Sequence, residues 1–264
     1  MERPEVLKSK PLVEAILEVR WELEDGPTPG MKRDRHYKLL LGKLFDSVKG
    51  EYPHHEELQT AEIPDEMTPY MVQHRFRAKE GDWPLLQVGP GVFTINETES
   101  YEWSSFESRI NDVIPKLISA YEVPQALRFE RLVLRYINAI PFDFSKADAL
   151  RFLHEKMGVT FSLPESIFAD GNITKGPIEL TSQVVFRSIE PKGALLLNFN
   201  TGKMRNEQPA LIFQIWFVSI GENVPAMPEG FGVWANGAHS IIEKTFFQLI
   251  EGDLAKEFAS DVQL

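Results

Sequence analysis

Two stretches of this chain alternate apolar and polar residues with a period of two, and each opens the same succession of hydrophobic periods. In residues 11–22, PLVEAILEVRWE, the side chains of Val13, Ala15, Leu17, Val19 and Trp21 fall on one face, and Glu14, Glu18, Arg20 and Glu22 on the other. In residues 127–142, LRFERLVLRYINAIPF, the apolar set is Leu132, Leu134 and Tyr136, and the outward set holds Arg131 and Arg135. Successive side chains on a strand point to opposite faces, so both stretches predict strands buried on one side only.

After the first strand, Tyr37, Leu40, Leu41, Leu44 and Val48 recur at helical spacing, with Asp34 as the expected N-cap. The acidic, proline-punctuated segment 51–69 has no period and predicts a long surface loop. Strands are expected over 70–78, 85–89 and, past a tight Gly-Pro-Gly turn, 92–96. A helix then carries Trp103, Phe106, Ile110, Val113, Ile114, Leu117 and Tyr121 in one stripe. The second half repeats the order. A helix is expected from Ser145, where Ser145 and Asp148 have capping-box spacing, and a loop follows over 157–177. Strands follow over 179–189, 194–200 and 210–220, then a C-terminal helix with Ile242, Phe246, Leu249, Ile250, Leu254 and Phe258 on one side.

Each half, 1–125 and 126–264, thus reads strand, helix, three strands, helix. The repeat also shows in letters: QHRFRAKEGDWPLL at Gln73–Leu86 lies ungapped on QVVFRSIEPKGALL at Gln183–Leu196, with Gln, Phe, Arg, Glu, Leu and Leu coinciding. Two amphipathic helices per half need a sheet face to cover. The expected fold is therefore α+β, with two pseudo-duplicated halves forming one curved antiparallel sheet and helices on one face, a saddle similar in layout to the TATA-binding protein. The two strand motifs, PLVEAILEVRW and RLVLRYINAI, also resemble the signature stretches of a sporadically distributed, strain-variable family of uncharacterised prokaryotic proteins of about this length. That resemblance carries no site residues. It implies a patchily inherited accessory protein of the kind found in mobile or defence-related gene neighbourhoods.

Charge and composition narrow the function classes. A formal net charge of −11 disfavours broad attraction to nucleic acid or anionic membrane. The amino-terminal stretch has no signal-peptide pattern, and the longest nearly apolar run, 210–220, is too short to span a bilayer, so a cytoplasmic chain without membrane attachment is expected. With no cysteine, disulfides and thiol chemistry are out of reach. His54, His55, Glu56 and Glu57 lack the spacing of metal ligands, and His239 and His154 read as capping or interface histidines. Residues 200–206 lack the upstream glycine of a phosphate loop, and there is no GxSxG elbow. Neither metal nor cofactor is expected.

What remains is the sheet face turned away from the helices. If Phe76 and Phe186 point to the core, then Gln73, Arg77, Gln183 and Arg187 point away from it, together with Arg20, Arg135, Gln214 and Trp216. Arginines, amides and one large aromatic suit an anionic or planar ligand or an acidic protein segment. The plainer reading is a solvated face whose arginines pair with Glu14, Glu18 and Glu22 across strands. The leading expectation is a non-catalytic interaction protein using that face, with a partner encoded nearby or an anionic ligand, and a homodimer is compatible with it. An enzyme acting on an anionic small molecule there is the alternative, and nucleic-acid binding a third, opposed by net charge. Core positions are expected at Trp21, Phe76, Trp103, Phe106, Leu134, Phe186, Phe213 and Phe246.

Overall fold

The computed structural model describes residues 7–26, 28–98 and 100–260. The elements in chain order are β1 (Leu12–Trp21), the short pair β2 (Glu24–Asp25) and β3 (Lys32–Arg33), α1 (Tyr37–Val48), β4 (His54–Glu57), β5 (His74–Arg77), β6 (Leu85–Gly89), β7 (Val92–Glu97), α2 (Trp103–Ala120), β8 (Phe129–Pro141), α3 (Ala149–Met157), β9 (Thr181–Ser188), β10 (Gly193–Lys203), β11 (Pro209–Ile220), α4 (Phe231–Leu249) and α5 (Asp253–Ala259). Nine strands form one open, antiparallel sheet in the order β4-β5-β6-β7-β1-β8-β11-β10-β9. The two alternating strands lie side by side at its centre, Leu17 opposite Leu134 and Ile16 opposite Arg135. Outward from that pair run β7, β6, β5 and β4 on one side, and β11, β10 and β9 on the other.

One hydrophobic core joins sheet and helices. Its strand residues all belong to a single alternation, among them Leu17, Phe76, Phe93, Leu134, Phe213 and Phe217, and they pack with Leu44, Phe106, Leu153, Ile242, Leu254 and Phe258 of the five helices. Burying one face of each element in this way is what the alternating and helical periods require, at roughly 1.5–3 kcal/mol for each large side chain removed from water. No helix among the described residues is long and apolar enough to cross a membrane.

Several boundaries differ from expectation, each for a local reason. The segment 51–69 is not all loop: His54–Glu57 pairs with β5, His55 opposite Phe76 and Glu56 opposite Arg75, and becomes the sheet edge. Helix α1 starts three residues after Asp34, whose carboxylate accepts the His36 backbone N–H at 3.0 Å instead of capping the first turn. Helix α3 starts at Ala149, because Asp148 itself is the cap and accepts from Leu150 N–H at 2.8 Å; Ser145 bonds Asp143 instead. The C-terminal helix is two helices, broken where Gly252 adopts φ +103°.

The letter match also needs one correction. Phe76 pairs with Leu86, but Phe186 pairs with Leu195, so the second hairpin is one residue shorter and the leucines do not align without a gap. Burial differs too. Phe76 is fully buried beneath Phe45 of α1 and His55 of β4, with ring centroids 5.2 and 5.5 Å away. Phe186, expected in the core, is 50% exposed, because β9 is the sheet edge and nothing corresponding to β4 lies beyond it. Trp103 and Phe246 are half-buried, and the other five expected core residues are buried.

Candidate functional site

The registers place every sequence-derived site residue except Gln73 within the strands of one face. Arg20 lies opposite Arg131, Arg135 opposite Trp216, Gln214 opposite Asn198, and Asn198 opposite Gln183; Arg187 lies opposite Ala194 and Arg77 opposite Leu85. Sharing a face does not make them equivalent. Gln73, just ahead of β5, is 2% exposed, its amide donating to Thr68 Oγ1 at 3.0 Å and so stapling the preceding loop to the sheet. Arg77 is 7% exposed, ion-paired with Glu56 at 2.6 Å and donating to the Asp82 carbonyl at 2.6 Å. Both side chains are engaged within the fold. Arg20 pairs with Glu18 at 2.7 Å and lies over the Tyr70 ring, and Arg131 approaches the same Glu18 at 3.9 Å.

Arg135 is different. Its guanidinium sits 4.3 Å above the Trp216 ring, and its Nε donates to Gln214 Oε1 at 3.0 Å. Among the described residues no carboxylate lies within ion-pairing distance. Burial pulls its pKa below the ordinary arginine value, with Glu14 and Glu18 pulling the other way, yet a guanidinium stays charged under any physiological condition. Trp216 is half-buried, and its indole N–H is shielded from solvent with no acceptor among the described residues. A guanidinium without a carboxylate partner among the described residues, stacked on a half-buried indole, forms a platform suited to a planar or anionic group. Gln183 and Arg187, both exposed on β9, extend it toward the sheet edge.

On the other side of β1 the face is held by amides. Arg75 Nε donates to Gln87 Oε1 at 2.7 Å, the Gln87 amide donates to Thr94 and Asn96, and Asn96 donates to Glu14 at 2.7 Å. Thr94 and Asn96 are 5% and 4% exposed, so this network is internal wiring of the sheet.

The histidines fall elsewhere. His54 is on the open face, whereas His55 is on the helix side, 3.0 Å from His74 Nδ1. Among the described residues, no three His, Asp or Glu side chains converge as a metal site would need. His239 does not cap a helix: it lies within α4 with its ring stacked on Trp103 and bonded to Tyr136. That contact leaves no local period in the sequence, since the three residues come from three elements. No family model matches this chain, and no curated protein matches it.

Proposed function

We propose that this chain is a cytoplasmic, non-catalytic binding protein that engages an acidic protein segment or another anionic partner through the helix-free sheet face, in the accessory role that the family resemblance implies. The observation that carries the reading is Arg135 stacked on Trp216 with no carboxylate partner among the described residues. Exposed or half-exposed arginine and tryptophan are the residue types that most often dominate interface energy. The same reading takes residues 1–125 and 126–264 as two copies about a pseudo-twofold axis between β1 and β8, giving a saddle whose helix-free side is the binding surface. The strand order, running outward in the same sequence on both sides of that pair, supports it.

The test compares wild type with Arg135→Ala, Arg187→Ala and Trp216→Ala, each first checked for an unchanged melting temperature. Immobilised protein is used to capture partners from the native host, identified by mass spectrometry, and affinity is then measured with the purified partner. Loss of Trp216 or Arg135 should weaken binding by about 2 kcal/mol, roughly thirtyfold. Retrieval of the same partners by all three variants would remove the face from consideration. A single-stranded oligonucleotide binding more tightly than an acidic peptide of equal charge would favour nucleic acid instead, and turnover of a captured small anion would favour an enzyme.

A further inference from the structure

A cleft of about 310 Å³ opens on the helix side of the sheet, between the start of α2, the middle of α4 and β8. Its polar centre is a chain of three rings. The Tyr101 and Tyr136 hydroxyls are hydrogen-bonded, and the Tyr136 hydroxyl lies 2.7 Å from His239 Nδ1. The imidazole lies flat on Trp103, with centroids 4.0 Å apart and planes 9° from parallel. Leu12, Phe246 and Phe247 supply apolar wall, and Lys10 stands at the edge, ion-paired with Glu102 and donating to the Tyr101 carbonyl.

The two hydroxyls and the neutral imidazole bring three donor protons to two hydrogen bonds, so one donor stays free: Nε2–H if the chain runs from Tyr101 to His239, the Tyr101 O–H if it runs back. The Tyr101–Tyr136 bond is the more deeply buried of the two, so the direction that strands no donor in the interior has Tyr101 donating to Tyr136, Tyr136 to Nδ1, and the imidazole proton on Nε2. The nearest carboxylate to Nε2 is Glu243 at 3.8 Å, beyond a hydrogen bond and 54% exposed to water. A donor held in position by two buried phenols therefore lacks an acceptor among the described residues. Apart from the half-exposed Glu243 carboxylate and the Lys10–Glu102 pair, the groups that line the cleft are neutral. Burial lowers His239 to about 4, and burial pushes both tyrosines up and keeps them as phenols. An anionic occupant would face the Glu243 carboxylate with Lys10 already paired to Glu102, burying an unpaired charge is costly, and a simple ammonium would bring no acceptor for Nε2–H.

We propose that this cleft binds a small, uncharged, flat molecule carrying a carbonyl-type acceptor, which takes the Nε2–H of His239 and lies against Phe246 and Phe247. The volume, at the lower end for ligand sites, limits the occupant to about one or two rings. The site is on the opposite side of the sheet from Trp216 and stands independently of the partner-binding face.

The probes are acetophenone and benzamide, with benzoate and benzylamine as charged isosteres and toluene as the ring without an acceptor. Each is titrated while the Trp103 indole resonance is followed, assigned with Trp103→Phe. Acetophenone and benzamide should shift it saturably and bind about five- to tenfold tighter than toluene, the value of one neutral hydrogen bond. His239→Phe keeps a flat ring on Trp103 but removes the donor, and should abolish that advantage. Should that variant fail to fold, Tyr136→Phe, which unlocks the tautomer while preserving shape, should at least halve it. Trp216→Ala should change neither. Benzoate or benzylamine binding as tightly as benzamide, no saturable shift with any probe, or an acceptor advantage that survives in the folded variant would each overturn the inference.

Discussion

Replacing Asp34 with alanine should destabilise the fold far more than the loss of one helix cap. The carboxylate is 6% exposed and ties together three parts of the first half. Its Oδ2 accepts the Trp21 indole N–H of β1 at 2.8 Å; its Oδ1 accepts the Tyr121 hydroxyl just after α2 at 3.1 Å and the His36 backbone N–H at 3.0 Å. Trp21 is fully buried and Tyr121 is 7% exposed, so truncation strands two donors away from water. Each stranded donor costs about 1–3 kcal/mol, and the lost support of His36 adds to this, for an expected total of about 3–5 kcal/mol. For 264 residues a loss of 4 kcal/mol lowers the melting temperature by about 7 °C. Urea unfolding followed by tryptophan fluorescence measures the change directly, with an unaltered m-value showing that the denatured state is unchanged. Asp34→Asn, which keeps one acceptor oxygen, should lose about half as much. In a double-mutant cycle with Trp21→Phe the two losses should be strongly non-additive. A loss under about 1 kcal/mol, or simple additivity with Trp21→Phe, would refute the claim that this carboxylate is the tie.

Phe76→Ala should cost about 3–5 kcal/mol in equilibrium unfolding, while Phe186→Ala, at the matching position on the exposed edge, should cost under about 1 kcal/mol. Phe246→Ala, half-buried and stacked on Phe213, should fall between them at about 2 kcal/mol. Gly89→Ala should destabilise by about 2 kcal/mol or more, because a Cβ there would meet the Met71 carbonyl at 1.8 Å; Gly42→Ala, in open space on α1, should stabilise by up to about 1 kcal/mol. His239 is held neutral down to about pH 4, whereas in the unfolded chain it protonates near 6.5. The unfolded state therefore binds the extra proton first. The contribution of the neutral ring is complete above pH 6.5 and is lost as the pH falls toward 4, by about 2–4 kcal/mol relative to His239→Phe. Parallel pH dependences for the two proteins would contradict this.

The periods in β1, β8 and β11 sufficed to say which way Arg20, Arg135 and Trp216 point, because side-chain direction on a strand is a property of neighbouring residues alone. Helix positions were equally legible from the stripes in α1 and α2. Coverage was not legible. Gln73 and Gln183, Phe76 and Phe186, Arg77 and Arg187 carry the same letters in the same context, yet one member of each pair is buried and the other exposed. The difference is made by β4, α1 and the loop before β5, which lie over the first member of each pair, whereas the second lies on β9 at the sheet edge. The same holds for Asp34, which bonds Tyr121 across 87 residues, and for Tyr136, which meets His239 across 103. Such contacts have no local period to betray them: whether a polar group is buried, and which partner meets it there, depends on what distant chain packs above it.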